Sequence, residues 1–274
     1  LTVDHKILYD NEIMSRDYAS RDYLEPAERT VLEILKPEIA EMNMLDMGVG
    51  GGRTTKYFAP LVKNYTGADY ATAMIDVCID KYGSKYFFLT CDARKMKEIP
   101  DDSFDFVLFS YNGIDSFRHR ERMAALKEIN RVLRPDGYFC FSSHNLDWEG
   151  LTDLFSLEYR TRSQELRQDK ARSVQILQKI KQAWKIFRLS LLNGSIFMSS
   201  RILKLRKVKR GHIYDDSLNG KAKVYYISRD EQVRQLRETA YKNVSTITRS
   251  GLITGNSTLL NRDGWIYYLC QADK

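Results

Sequence analysis

The chain has 274 residues, 43% of them hydrophobic, and a formal net charge of +7. That length suits one domain with an insertion, or one and a half domains, with enough apolar content for a good core. No apolar stretch reaches eighteen residues and the first residues carry no signal-peptide pattern, so neither a transmembrane helix nor a secretory leader is expected.

In chain order, residues 5–40 read as helices. Glu28-Arg-Thr-Val31-Leu32-Glu-Ile34-Leu35 is amphipathic, and Pro37 closes it. The spacing of apolar residues then predicts alternation: strand 43–47, helix 52–60, strand 64–69, helix 71–82, strand 85–91, strand 104–110, helix 118–133 and strand 137–143. Such alternation implies a parallel sheet with helices on both faces. After residue 145 the pattern breaks. Residues 150–192 read as helices, with Val174, Leu177, Ile180, Trp184, Phe187 and Leu191 on one apolar face. Asn193-Gly194 marks a turn, followed by a basic run, Arg201–Arg210, and a polar loop to Gly220. The core resumes at Val224–Ile227, with helix 229–241 and strands 243–249 and 264–270. The expected fold is α/β: a Rossmann-like, doubly wound, seven-stranded, mostly parallel sheet with a C-terminal antiparallel hairpin and an inserted helical subdomain. The expected division is an N-terminal helical lid over 1–40, a core over 41–148 and 221–274, and a basic helical insertion over 149–220.

Charge is distributed unevenly. Residues 151–223 hold 17 Lys and Arg against 6 Asp and Glu, so the whole basic surplus lies in one segment. The four cysteines fall in apolar contexts without Cys-x-x-Cys spacing and read as reduced core residues of a cytoplasmic protein.

Chemistry is carried by Met44-Leu-Asp-Met-Gly-Val-Gly-Gly-Gly-Arg53, an apolar run ending in Asp46 with four glycines in the next six residues. Glycines there let a backbone pass close to a ligand. The dinucleotide fingerprint Gly-x-Gly-x-x-Gly, counted from Gly48, places its third glycine at Arg53, which argues against a nicotinamide cofactor. Asn64-Tyr-Thr-Gly-Ala-Asp69 is a second strand ending in an acid, and Tyr86-Phe-Phe-Leu-Thr-Cys-Asp92-Ala93 a third. Phe104–Gly113 and Arg131-Val-Leu-Arg-Pro-Asp-Gly137 complete an ordered series. The series resembles the class I S-adenosylmethionine-dependent methyltransferases, in their small-molecule branch.

The resemblance implies S-adenosyl-L-methionine as cofactor. It sets the backbone of Gly48, Gly50 and Gly51 and the carboxylate of Asp46 near the methionine part, and Asp69 on the ribose. Tyr70 and Met74 would wall the adenine, Met74 being alternatively helix core. Asp92 and Ala93 would border the adenine, with Ser110 and Tyr111 at the mouth of the fourth strand beside the acceptor. Tyr18 and Arg21 would belong to a lid over the cofactor, or else to a polar surface helix; Arg53 reads as structural. His144, ending the fifth strand, is the first candidate for proton acceptor, since an imidazole titrates near working pH; the bland alternative is a hydrogen-bonded structural histidine. Asp115 is the second candidate, with Tyr111 beside the reacting atoms. No metal is expected.

The insertion is expected to bind the acceptor. Its basic run suits a small, acidic or phosphorylated acceptor, such as a sugar, glycan or natural product methylated on O or N. The other readings are a solvated helix face, docking on an anionic membrane, or a grip on nucleic acid. An RNA- or protein-modifying methyltransferase and a non-catalytic cofactor-binding partner are the alternative functions.

Overall fold

The apolar runs that end in Asp46 and Asp69 are strands, and they lie side by side. The computed structural model describes residues 10, 18, 20–151, 181, 183, 184, 187–189, 191, 192, 208–215 and 222–274. Five parallel strands, β1 (Asn43–Met47), β2 (Asn64–Asp69), β3 (Phe87–Thr90), β4 (Phe104–Phe109) and β5 (Leu133–Asn145), run in the order β3-β2-β1-β4-β5. Alternate side chains on these strands leave by opposite faces. Leu45, Val107, Phe109, Phe139 and Phe141 join one apolar cluster, while Met44, Phe106, Leu108 and Cys140 join the other. Helix α1 (Pro26–Leu35) and the short α2 (Thr55–Phe58) cover the second face through Val31, Leu35 and Phe58. Helix α3 (Thr72–Tyr82) follows β2, and α4 (His119–Val132) covers the first face through Ala125, Leu126 and Ile129. Both faces are covered, as a parallel sheet requires.

The helix expected over 52–60 is only four residues long. Gly50 and Gly52 have φ of +54° and +73°, which helical backbone does not admit. The preceding Thr54 hydroxyl is drawn to Asp46 instead, at 2.6 Å.

The seven strands read from the sequence are present, and two more are added. β6 (Arg210–Tyr214) and β7 (Lys223–Ile227) form an antiparallel hairpin, followed by α5 (Arg229–Glu238), β8 (Tyr241–Ile247), α6 (Ser257–Leu260) and β9 (Trp265–Ala272). β9 runs antiparallel to β5 from Tyr138 to His144 and to β8 on its other edge. β7 touches β5 only at its end, His144 opposite Tyr226 and Asn145 opposite Ile227. Since Trp265 of β9 occupies the other edge of His144, β7 must lie on the edge used lower down by β4. The hairpin therefore sits in the lane of β4, just past its carboxyl end. The sequence boundary at 221 cuts this hairpin in two.

Most of the insertion, including Val174, Leu177, Ile180 and the basic run as far as position 207, lies outside the described residues, as does the chain before Tyr18 apart from Asp10. Of the apolar stripe read there, Trp184, Phe187 and Leu191 are exposed, while Leu189 is buried against Trp148, Leu151 and Ile213. No described helix is long and apolar enough to cross a membrane.

Candidate active site

The carboxyl ends of β1, β2, β3 and β4 open on one cleft of about 590 Å³. Tyr18, Gly48, Asp69, Tyr70, Ala93, Ser110 and Tyr111 line it, and all seven were read from the sequence as cofactor or acceptor residues. A smaller hollow of about 370 Å³ adjoins it through Tyr18, Gly48, Ser110 and Tyr111 and reaches Arg21, Asp46 and Gly51.

The glycine bend is shaped by two separate constraints. Gly48 has φ of +66°, and a Cβ there would stand 2.6 Å from the ring of Phe109 on β4, so the chain can turn only if position 48 has no side chain. Gly50, with φ of +54°, would aim a Cβ at Tyr18, whose ring is 3.5 Å away. The Gly50 amide donates to Asp69 Oδ2 at 3.0 Å, and the Ala71 amide donates to Asp69 Oδ1 at the same distance. Asp69 is buried, and no Lys or Arg among the described residues forms an ion pair with it. Burial pushes its pKa up to about 6, against the pull of those two backbone donors. A carboxylate held in this state retains lone pairs for two further donors, and a ribose diol supplies two. The bend and the acid thus fit the cofactor that the sequence series implies.

Asp46 serves differently. It is buried, and its Oδ2 accepts from Thr54 and from the Tyr65 hydroxyl at 2.6 and 2.7 Å. Burial pushes it too up to about 6, against those hydrogen bonds. Its carboxylate borders the smaller hollow while tying the bend to β2. Asp92 is gripped by Arg94, which donates from Nε to Oδ1 and from Nη2 to Oδ2 at 2.9 and 2.6 Å, and which also reaches Glu121. Its neighbour Ala93 lines the cleft; Asp92 does not, and for adenine it would have to share its oxygens with Arg94. Met74 is buried on α3, outside the residues that line the cleft.

Arg53 borders the smaller hollow, and its guanidinium is paired within the protein. Its guanidinium donates to both oxygens of Glu28, at 2.7 and 2.6 Å, and to the Tyr23 carbonyl at 2.9 Å. Burial opposes that charge, but Glu28 more than compensates and the guanidinium is held firmly protonated. Ser110 donates to the same carboxylate. One buried ion pair therefore joins α1, the glycine bend, the mouth of β4 and the end of the N-terminal segment at Tyr23. Arg53 also lies 5.1 Å from the Tyr111 ring centre and 5.3 Å from that of Tyr23, and the two tyrosine hydroxyls meet at 3.1 Å. Arg21 stacks on Tyr18 at 4.1 Å and faces Tyr111 at 5.5 Å, which brings the two candidate lid residues to the mouth of β4.

His144 and Asp115 are brought together. The Asp115 carboxylate accepts from the His144 amide and faces His144 Nδ1, both at 2.7 Å. Its other oxygen takes Arg122 at 2.5 Å and the Ser143 hydroxyl at 2.8 Å. With both oxygens engaged, Asp115 orients the imidazole and is not free to take a proton from an acceptor itself. Held this way, neutral His144 carries its proton on Nδ1 and leaves Nε2 unprotonated. Burial disfavours the imidazolium, yet the hydrogen bond and charge of Asp115, with the charge of Asp215, raise the pKa above the ordinary histidine value.

Around Nε2 stand residues that the sequence reading did not assign. Asp215 Oδ2, just past β6, is 3.8 Å away and accepts from the Tyr226 hydroxyl at 3.0 Å. Asn112 Nδ2 is 3.4 Å away. The rings of Tyr226 and Trp265 lie 4.8 and 6.5 Å from the imidazole, and Tyr111 lies 6.2 Å from Trp265. Asn112 falls between Tyr111 and Gly113, both of which line the cleft, whereas Asn112 and His144 are not among the residues that line it. Glu28 and Arg122 had a signal in the sequence that went unused. Each places a charge in register with a helix's apolar stripe: Glu28 with Val31 and Leu35, Arg122 with Ala125, Leu126 and Ile129. Such a charge must find a buried partner.

Comparison with known proteins agrees with this geometry. Residues 45–141 match the family described as a methyltransferase domain. A Bacillus subtilis protein named "Uncharacterized methyltransferase YcgJ" is 29% identical over 119 residues, covering 42% of this chain and 46% of that protein. The chain spans about half the length of the curated relatives it matches. Among solved structures, a S-adenosylmethionine-dependent methyltransferase from Mesorhizobium loti is 14% identical with a TM-score of 0.56, over 89% of this chain and 97% of that one. The 1,6-didemethyltoxoflavin-N1-methyltransferase of Burkholderia thailandensis, solved with 1,6-didemethyltoxoflavin and S-adenosylhomocysteine, is 13% identical with a TM-score of 0.55, over 100% and 92%. The matched segment, residues 45–141, contains the glycine bend, β2, β3 and β4, and with them Asp69 and Ala93.

Proposed function

We propose that this chain transfers the methyl group of S-adenosylmethionine to an oxygen or nitrogen of a small acceptor. The bound cofactor supplies a methyl group on a positive sulfur, which leaves as a neutral thioether, so the protein has to orient, exclude water and remove a proton. The observation that carries the reading is the buried Asp69, held by backbone amides at the glycine bend and lining the same cleft as Tyr111. Asp69 would hold the ribose, the Gly48–Gly51 backbone and Asp46 the methionine end, and Ala93 the adenine edge. Tyr18 and Arg21 would close over the cofactor as part of a lid. His144 would take the acceptor's proton on Nε2, with Asp115 fixing its tautomer.

The basic surplus of residues 151–223 supports an acceptor whose body is acidic or phosphorylated. Titration of the protein with S-adenosylhomocysteine, followed by transfer of labelled methyl to a panel that starts with phosphorylated sugars, tests the reading. Saturable cofactor binding and a labelled product support it. A protein that binds no S-adenosylhomocysteine would sink it; transfer only to RNA, with affinity falling steeply with salt, would move it to the nucleic-acid alternative.

A further inference from the structure

We infer that the inserted part of the chain docks on an anionic lipid bilayer, through a helix face built of Trp184, Phe187 and Leu191. Residues 181, 183, 184, 187–189, 191 and 192 are helical. At about 100° per residue, Trp184, Phe187 and Leu191 fall within about 60° of one another, and Leu189 lies about 140–160° away from each of them. Leu189 is the inward side chain, buried against Trp148, Leu151 and Ile213. The other three are 67, 60 and 69% exposed, even though the rings of Trp184 and Phe187 meet edge to face at 6.0 Å. The side that packs on the protein is therefore already taken, and a second apolar side faces water. Apolar residues scattered singly over a surface need no partner, but a contiguous stripe marks a contact.

Charge selects the occupant. Lys181 lies three residues before Trp184 and Arg188 four after it, so both exposed cations border the stripe. Residues 170–214 hold twelve Lys and Arg and no Asp or Glu. Trp, Phe and Leu on one side of a helix, with Lys and Arg beside them, is the pattern of a helix that lies in a membrane interface. The two rings and Leu191 enter the boundary between headgroups and acyl chains, and the long cationic side chains reach back to the lipid phosphates. Other partners answer half of this surface. A second copy seated by two-fold symmetry would set Lys181 and Arg188 against their own copies, with no carboxylate in residues 170–214 to receive them. A nucleic acid would receive the cations and leave Phe187 and Leu191 in water. Phe117 is the last residue to line either hollow of the candidate active site, so the inference does not rest on the methyl-transfer reading.

The test uses the full chain with two kinds of vesicle, pure phosphatidylcholine and phosphatidylcholine containing about one third phosphatidylglycerol, at about 0.15 M salt. Partition is read by co-sedimentation. Binding to the anionic vesicles is expected to be at least about tenfold stronger, since each Lys or Arg near such a surface contributes about fivefold. The triple variant Trp184→Ser, Phe187→Ser, Leu191→Ser is expected to bind them at least about a hundredfold more weakly. All three side chains are exposed in the free protein, so its denaturation midpoint and S-adenosylhomocysteine affinity should not change. Brominated lipids read insertion without a disruptive substitution: they should quench the wild type, and Trp184→Phe should keep the binding and lose the quenching. Equal partition to both vesicles, no binding to either, no quenching, or binding that survives the triple substitution each overturns the inference and leaves methyl transfer standing. So does a triple variant that loses self-association or RNA binding while its vesicle binding is intact. Failure to bind S-adenosylhomocysteine, with vesicle binding as expected, removes methyl transfer and leaves the docking face.

Discussion

Asp69 gives the sharpest test of the cofactor site, because its burial has a measurable cost. Its ordinary pKa is 3.8 and burial raises it to about 6, so two backbone donors do not make up for lost hydration. A difference of about two pH units corresponds to about 3 kcal/mol of strain in the ionised free protein. The sign follows from proton counting. Between pH 4 and 6 the folded chain binds a proton that the unfolded chain has released, so this residue's contribution to stability falls as pH rises through that window and stays low above it. A ribose diol that donates to the carboxylate binds the ionised form, so cofactor affinity moves the other way: it rises through pH 6 and levels off. One unit below the pKa about a tenth of the protein is ionised, so affinity at pH 5 is expected to be about tenfold weaker than at pH 8.

Asp69→Asn keeps the shape and removes the charge. At pH 8 it is expected to weaken S-adenosylhomocysteine binding by about 1.5–3 kcal/mol, roughly ten- to hundredfold. It should also abolish the part of the pH dependence that Asp69 causes. Isothermal calorimetry of wild type and variant at pH 5, 6, 7 and 8 measures both effects, and the ratio of the two curves cancels the ligand's own titration and that of Asp46. Parallel curves, or equal affinity at pH 8, would refute the ribose assignment.

The other predictions concern the frame around that site. Asp115→Asn should move the midpoint of the rate–pH profile downward, since the carboxylate that raises the His144 pKa is gone; in the wild type, turnover should climb with pH through a midpoint above the ordinary 6.5, as Nε2 loses its proton, and an unshifted midpoint would remove His144 as the base. Glu28→Gln leaves the Arg53 guanidinium buried without its counter-charge and should destabilise the fold by about 3–5 kcal/mol in urea denaturation. The double variant Glu28→Leu with Arg53→Met should be more stable than Glu28→Gln alone, and a strictly additive pair would show that the two residues are not coupled. Gly48→Ala should cost about 1–3 kcal/mol, from a positive φ and a Cβ 2.6 Å from Phe109, so an unchanged denaturation midpoint would mean the bend can relax.

Most of the cofactor half was legible because its information is local. An apolar run, an acid at its end and a glycine turn identify β1 and β2 without reference to distant residues, and the same reading finds β3 and β4. Where the reading erred locally, a specific interaction explains it: the helix expected at 52–60 shrank because positive-φ glycines and the Thr54–Asp46 bond hold the turn open. Met74 and Asp92 sit at the expected positions in the chain, but one faces the core and the other is taken by Arg94, choices that strand periodicity does not encode. The acceptor half was much less legible. β6 is five residues long and buries one apolar side chain fully, Ile213, next to a run of basic residues that masks any alternation. Nothing near Asp215 in the sequence indicates that it will meet His144, 71 positions earlier.

That difference in legibility reflects how the site is divided. The proposed cofactor contacts come from the ends of strands consecutive in the chain, so the alternation of strand and helix sets their spacing. The residues around Nε2 come from four separate places: Asn112 beyond β4, His144 at the end of β5, Asp215 beside the added hairpin, and Trp265 on β9. Among the described residues, the hairpin is what the fold adds to the seven-stranded plan, and it lies past the end of β4. Of the two carboxylates at His144, Asp115 is neutralised within the core by Arg122, and Asp215 arrives with the hairpin. The orienting acid is therefore built into the sheet and its cover, whereas the acid facing Nε2 is carried by the inserted part of the chain. On the proposed reading, a change in the hairpin would alter the surroundings of Nε2 without disturbing Asp69, the glycine bend or the Nδ1 tautomer of His144.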